Sequence, residues 1–346
     1  MRFSIAVNME RSDAAQDMRA VAANSLELVR IAEQGGFETA WAAEHHGVEL
    51  TIAPNPFQIL LYWGARTSRI RLGTAVVVAP YWHPLRLAGE AALCDVLTDG
   101  RLELGIARGA FQYEFDRMAG GMKGEEGVGY MMELLPAIKA LWAGDYEHRG
   151  KYWTFPRATS VPTPRQRPHP PIWIAVRDPG SFDWAFKQGA HIMTTPLQRP
   201  NSEIKVLGDR FDQAVASNPE IPRPVFMMMR RACVYDRPED IAVPAAASVQ
   251  YARRFENLFL NAGGVENGFP QPVAEEVITS RAGYSPEELA ENLLFGTPEQ
   301  VIEKLKLYQA AGVDQFCYNP VAGIAPKLAR RSLELFIEQV MPHFEE

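Results

Sequence analysis

The sequence holds 346 residues, 47% of them hydrophobic, with a formal net charge of −7 and no run of like charges, so a large buried core is expected and nucleic acid or an anionic membrane is not an expected partner. The apolar stretch in MRFSIAVNMERSD is too short for a signal sequence, and no segment approaches the ~18 uncharged apolar residues of a membrane span. Cys94, Cys233 and Cys317 have neither CxxC nor metal-like spacing and sit in apolar stretches, which points to reduced thiols in a cytoplasmic protein whose partner is a small molecule.

In chain order, an apolar run at 3–8 precedes an amphipathic segment at 18–34, and the alternation then repeats. Strand patterns at 39–43, 71–78, 102–107, 172–175 and 191–194 are followed by helical patterns at 56–67, 84–97, 129–142, 181–188 and 202–217. Runs at 224–234 and 315–318 complete eight strands, with helices expected at 298–311 and 326–340. Pro near helix starts and Gly just past helix ends recur as punctuation. None of the runs keeps a polar alternate face, as suits strands covered on both sides. The expected fold is therefore α/β, a (β/α)8 TIM barrel with insertions, one domain over 1–346.

Two stretches break the rhythm. Residues 144–171 are too rich in Pro for a helix and read as a surface excursion ordered by aromatics. Residues 236–296 form a long insertion with one helical piece at 249–261 and then NAGGVENGFPQP, a Gly-rich stretch expected to act as a lid over the barrel mouth.

In such a barrel the informative polar residues lie just after each strand. Here they are Asn8; Glu44-His45-His46; the segment from Pro80 to Arg86, with His83; Arg108 to Tyr113; and Arg177-Asp178-Pro179-Gly180-Ser181. The Glu-His-His triplet is a poor metal site, because neighbours on an extended chain point apart. It is open between structural hydrogen bonding and proton transfer, in which one imidazole faces a ligand while a carboxylate holds its neighbour. Asp178 to Ser181 lead into a helix whose free N–H groups suit a phosphate, although Asp178 or Ser181 also reads as a plain N-cap. Arg108, on the adjacent strand, is a candidate guanidinium for the same phosphate. Neither GxxxxGK[ST] nor GxGxxG occurs.

The run GTAVVVAPYWHPLRLAGEAALCDVLTDGRLELGIARG, with the earlier FETAWAAEHHG and the later SLELFIEQVMPHF, closely resembles the bacterial luciferase-like flavin-dependent monooxygenases, over essentially the whole chain and most densely from Phe37 to Gly109. The resemblance implies a barrel that takes reduced FMN from a separate NAD(P)H:flavin reductase. It implies reaction with O2 to a flavin C4a-hydroperoxide and oxygenation of a small organic substrate. It further implies that His45 is the catalytic histidine, that Glu44 and His46 support it, and that His83 is a second active-site histidine. Ala75-Val76 match the family's cis peptide against the flavin ring, and Ala107, Arg108, Arg177, Asp178 and Ser181 match its phosphate region. Asn8, Met9, Trp82, Phe111, Tyr113 and Met193 would wall the substrate pocket.

Two departures stand out. Ala107 replaces the reactive cysteine of luciferase itself, so light emission is not expected. Gly127-Val128 stand where many members carry a second phosphate-binding Arg, with Lys123, Arg177 or Tyr130 as candidate replacements. The helix at 56–67 is apolar nearly all round, which suggests a homodimer. A deazaflavin-dependent oxidoreductase and a non-catalytic flavin-binding subunit are the competing readings.

Overall fold

A computed structural model describes residues 1–260, 264–279 and 284–344. Eight strands pair in parallel: Arg2–Ala6, Thr39–Ala42, Arg71–Thr74, Leu102–Ala107, Ile172–Ala175, His191–Thr194, Phe226–Val234 and Gln315–Pro320. Each lies beside its neighbours in this order, and the eighth returns to the first through Arg2↔Gln315, so the barrel closes, with a short strand, Leu294–Gly296, added alongside the end of the seventh. The TIM-barrel expectation therefore holds.

Eight helices cover the barrel, and their ends follow from local chemistry. Met18–Gln34 starts at Asp17, whose carboxylate accepts from Arg19 N, and Pro84–Leu97 starts with Pro at its first position. Pro56–Gly64 is shorter than expected, and 326–340 divides into an α-helix, Pro326–Leu335, and a π-turn, Phe336–Val340. Large apolar side chains pack between sheet and helices. Inside the barrel a smaller set, Ala6, Trp41, Trp173, Met193, Met227 and Cys317, fills the lumen. The indole N–H of Trp173 donates to the buried Glu103 at 2.6 Å, and Glu103 also pairs with Arg71 at the N-terminal end. Burial pushes the Glu103 carboxyl up, against the pull of Arg71.

The third strand was expected to run unbroken over 71–78, but it divides. Gly73 pairs with Glu103 and Val77 with Ile106, so four steps on this strand span three on the next. The extra residue falls at the cis Ala75-Val76 peptide, and the bulge turns Ala75 toward the barrel mouth. Thr74 bridges the gap, its hydroxyl donating to Gly105 O at 2.8 Å and accepting from Gly105 N at 2.9 Å.

The excursion at 144–171 contains a hairpin, Tyr146–Arg149 with Thr154–Ala158, held by Glu133, whose carboxylate accepts from the N–H groups of Lys151, Tyr152 and Trp153. In the insertion the helix is Ala242–Leu260, beginning earlier than expected because Pro244 falls in its first turn, where the missing N–H costs nothing. Asn261 to Gly263, part of the expected lid stretch, lie outside the described residues. The helix 56–64 leaves no apolar side chain exposed, since Phe57, Ile59, Leu60 and Trp63 are buried within the chain itself. All three cysteines are buried and free. Among the described residues no helix is long and apolar enough to cross a membrane.

Candidate active site

The mouth of the barrel, at the strand C-termini, holds a cavity of about 170 Å³. On the second strand Trp41, Ala43 and His45 share one face by the two-residue period, and all three line it. His46 points the other way. Its Nε2 lies 2.7 Å from Glu44 Oε1, and Glu44, 2% exposed, also accepts from Val78 N at 2.8 Å and Trp82 Nε1 at 2.9 Å. Glu44 thus ties the second strand to the third through His46, Trp82 and Val78.

The support of His45 is different from the expected one. Its Nδ1 lies 3.2 Å from Oε2 of Glu114, a buried carboxylate on the short helix Gln112–Met118 after the fourth strand. Glu114 Oε1 also accepts from His46 N at 2.6 Å, so one carboxylate fixes both the His45 ring and the backbone behind it. Among the described residues no hydrogen bond joins Glu44 to His45. Phe111 packs 5.5 Å from the His45 ring and against Phe255 and Phe259 of the insertion helix. Tyr81 stands edge-on to His46, and burial beside Glu114 and Glu44 pushes its phenol far up, which keeps it protonated.

Of the expected pocket residues, Asn8 lines the cavity and Phe111 borders His45. Tyr113 closes the rim by donating to Gly47 O at 3.2 Å, and Met193 lies deeper in the lumen. Met9 and Trp82 do not reach the cavity: Met9 packs in the outer core, and Trp82 sits on Phe57 while donating to Glu44. His83 is exposed and caps the helix Pro84–Leu97, its Nδ1 accepting from Leu85 N at 3.2 Å, so it does not join His45. Partial burial near Phe155, with His148 beside it, draws its imidazole below the usual range.

Ala107 ends the fourth strand, and Arg108 follows it, exposed, donating to Gly124 O at 2.9 Å. Asp178 is the N-cap of the helix Pro179–Lys187, accepting from Ser181 N at 3.0 Å, while Ser181 Oγ donates to Asp178 O. Arg177 turns away to Glu203 at 3.4 Å. Where the second phosphate-binding Arg was missed, Gly127 begins the helix Gly127–Ala143 so close to Arg108 that a Cβ would stand 2.2 Å from Arg108 O. A larger side chain does not fit there. Lys123 precedes the turn Gly124–Glu126, and Tyr130 stacks on Tyr152 at 3.9 Å.

Sequence reasoning missed Glu114, Trp41, Arg231, Tyr251 and Phe255. The last four line the cavity from the second and seventh strands and the insertion helix.

A family model described as luciferase-like monooxygenase matches residues 1–315. The chain belongs to that family. It is 40% identical over 346 residues, 100% of this chain and 96% of the relative, to the oxygenase component of a flavin-dependent trigonelline monooxygenase from Acinetobacter baylyi. It is 26% identical over 309 residues, 83% of this chain and 80% of the relative, to an FMNH2-dependent dimethylsulfone monooxygenase from Pseudomonas putida. Among solved structures, a monooxygenase from Streptomyces bottropensis superposes with a TM-score of 0.84 at 24% identity, each chain covered in full, a likeness of fold. Membership makes this luciferase-like barrel a flavin-dependent monooxygenase.

Proposed function

We propose that the chain is the oxygenase component of a two-component system, taking reduced FMN from a separate NAD(P)H:flavin reductase and using O2 to oxygenate a small organic molecule. The observation that carries this reading is the His45–Glu114 pair, 3.2 Å apart, at a cavity bordered by the Ala75 bulge. The residues present fit a flavin: the bulge offers backbone to a flat ring, and Arg108 and the helix start at Ser181 offer donors to a phosphate. Reduced FMN would supply the electrons that activate O2, through the C4a-hydroperoxide implied by the family resemblance.

The chain's own residues would do the rest. With Nδ1–H donated to Glu114, His45 keeps Nε2 for the ligand, where it holds and moves a proton. Phe111, Tyr251 and Phe255 keep water out, which protects a reactive oxygen adduct. Residues 236–296 act as the lid, and the whole chain as one domain. Arg108, with the helix starts at Gly127 and Asp178–Ser181, would hold the phosphate. Leu93, Val96 and Leu97, exposed on one face of the helix Pro84–Leu97, supply the apolar contact of a homodimer. Trigonelline, for which the 40% identical relative is named, is the first substrate to try.

The test is oxygen uptake and product yield with chemically reduced FMN across a compound panel. His45→Ala should retain reduced-FMN binding while product falls on the order of 10²- to 10⁴-fold. Unchanged yield removes His45 from the chemistry. Tight deazaflavin binding without oxygen uptake replaces the oxygenase reading with hydride transfer.

A further inference from the structure

We propose that Arg231 selects the substrate by receiving the carboxylate of a flat heteroaromatic acid whose ring packs against the edges of Tyr251 and Phe255. The inference rests on the oxygenase reading above and names the substrate class of the same site.

The seventh strand sets the position. Met227 and Met229 belong to the lumen, and Arg231 is the next residue on that face, while Arg230, which also borders the cavity, is held from behind by Asn201, Tyr308 and Arg199 O. A guanidinium thus stands among methionine, alanine and tryptophan, where an unpaired charge is costly. Its partners are few: Glu10 Oε1 at 2.9 Å, Pro320 O at 3.2 Å and the face of Tyr251 at 3.8 Å. Glu10 Oε1 is itself shared with Asn8 Nδ2 at 3.3 Å. An ion pair buried in this way contributes less than a well-packed apolar pair of equal size, so stability alone is a poor reason for it.

The cavity supplies a second reason. Trp41 is fully buried, its indole N–H has no acceptor, and it lines the same cavity as Arg231 and His45. These donors, with the Arg230 guanidinium, whose buried Nε has no partner among the described residues, at the same cavity, favour an acceptor-bearing, anionic ligand. Tyr251, with Arg231 over its face, and Phe255, one helical turn on and stacked with it at 5.3 Å between ring centroids, border the cavity and give that ligand's ring aromatic edges to pack against.

The route in has matching charge. A larger groove of about 880 Å³ lies between the helix Met18–Gln34, the insertion helix and the segment 320–330, and it shares Asn8 and Tyr251 with the inner cavity. Glu10 lines the groove and Arg231 the cavity, so the ion pair forms the partition between them. A zwitterion satisfies both halves: its positive ring compensates Glu10 as its carboxylate takes the guanidinium. An uncharged analogue leaves the pair closed.

The experiment compares wild type, Arg231→Gln and the charge-removing double variant Glu10→Gln/Arg231→Gln on matched acid and methyl-ester pairs, including trigonelline and its ester, in excess reduced FMN. For the wild type the acid should be preferred. Arg231→Gln should raise KM for the acid about 30-fold with kcat within about threefold, and leave KM for the ester within about twofold, as loss of a charge-assisted hydrogen bond predicts. If the single variant fails to fold, the double variant and Arg231→Lys carry the comparison, with Lys giving an intermediate KM for the acid. Equal effects on acid and ester, or oxygenation of neutral members of the panel but of no acid, overturn the proposal. Oxygen uptake and reduced-FMN binding are recorded first without organic substrate. Failure there sinks the oxygenase reading, whereas intact uptake without acid discrimination sinks only the role of Arg231.

Discussion

Glu114 holds His45 and His46 together, its two oxygens reaching His45 Nδ1 at 3.2 Å and His46 N at 2.6 Å. It contacts the reacting groups only through His45 and is therefore a positioning residue. Glu114→Gln keeps the shape but loses the carboxylate, and oxygenation should fall on the order of 10²-fold while reduced-FMN binding holds. The pH–rate profile should change shape, and Glu114→Asp should restore part of the rate. A variant that only melts earlier, with its profile intact, would assign Glu114 to the scaffold.

Glu44 makes a separate prediction, one of stability. Trp82→Phe removes one of its donors and leaves Val78 N and His46, so about 1.5–3 kcal/mol should be lost in urea denaturation. Glu44→Ala strands several donors at once and should cost more. Equal losses for the two variants would contradict Glu44 as the hub.

For Arg108, replacement by Ala should weaken reduced-FMN binding about 10- to 100-fold, the range of one charge-assisted contact, without altering His45 chemistry at saturating flavin. Stopped-flow titration separates the two. Gly127→Ser should instead destabilise the helix start, because its Cβ meets Arg108 O.

Lys304 gives a pH dependence. Its ammonium donates to the carbonyls of Ala290, Leu293 and Phe295 at 2.7, 2.9 and 2.8 Å, and burial, with Arg230 beside it, lowers its pKa from 10.5 to about 8. Below pH 8 the charge is present in both folded and unfolded chains and its burial cost is paid in full. Between pH 8 and 10.5 the unfolded chain binds more protons, so stability rises with pH across that window. The difference between wild type and Lys304→Met should grow by at most about 3 kcal/mol over this range. Parallel pH curves for the two proteins would show that Lys304 stays charged throughout.

The barrel was legible because strands covered on both faces read as short apolar runs, helices such as Met18–Gln34 and Pro84–Leu97 carry their own caps, and Ser202–Ser217 carries the helical period. The division of the third strand was not legible as a change of register, since Thr74 and Val77, on either side of Ala75-Val76, are both β-branched residues that suit a strand. At the site, His45 could be found from its place after the second strand. Glu114 could not, because in QYEFDRM it reads as a surface acid of a short helix, and its burial depends on where a different strand ends. His83 misled in the opposite way. Beside a Pro at a helix start, an imidazole is as useful for accepting Leu85 N as for chemistry. Arg231 stayed hidden in FMMMRRACV because only barrel closure shows that this strand end reaches the cavity and that Arg231 continues the lumen face of Met227 and Met229.

The roof of the inner cavity comes from one helix, Ala242–Leu260, which follows directly from the strand that carries Arg231. The histidine, its carboxylate and the bulge come from the first third of the chain. Under the proposed reading, exchange of the stretch 226–260 would remould one wall of the substrate pocket while the histidine and its carboxylate, with Glu10 and Trp41 on the opposite wall, stay in place.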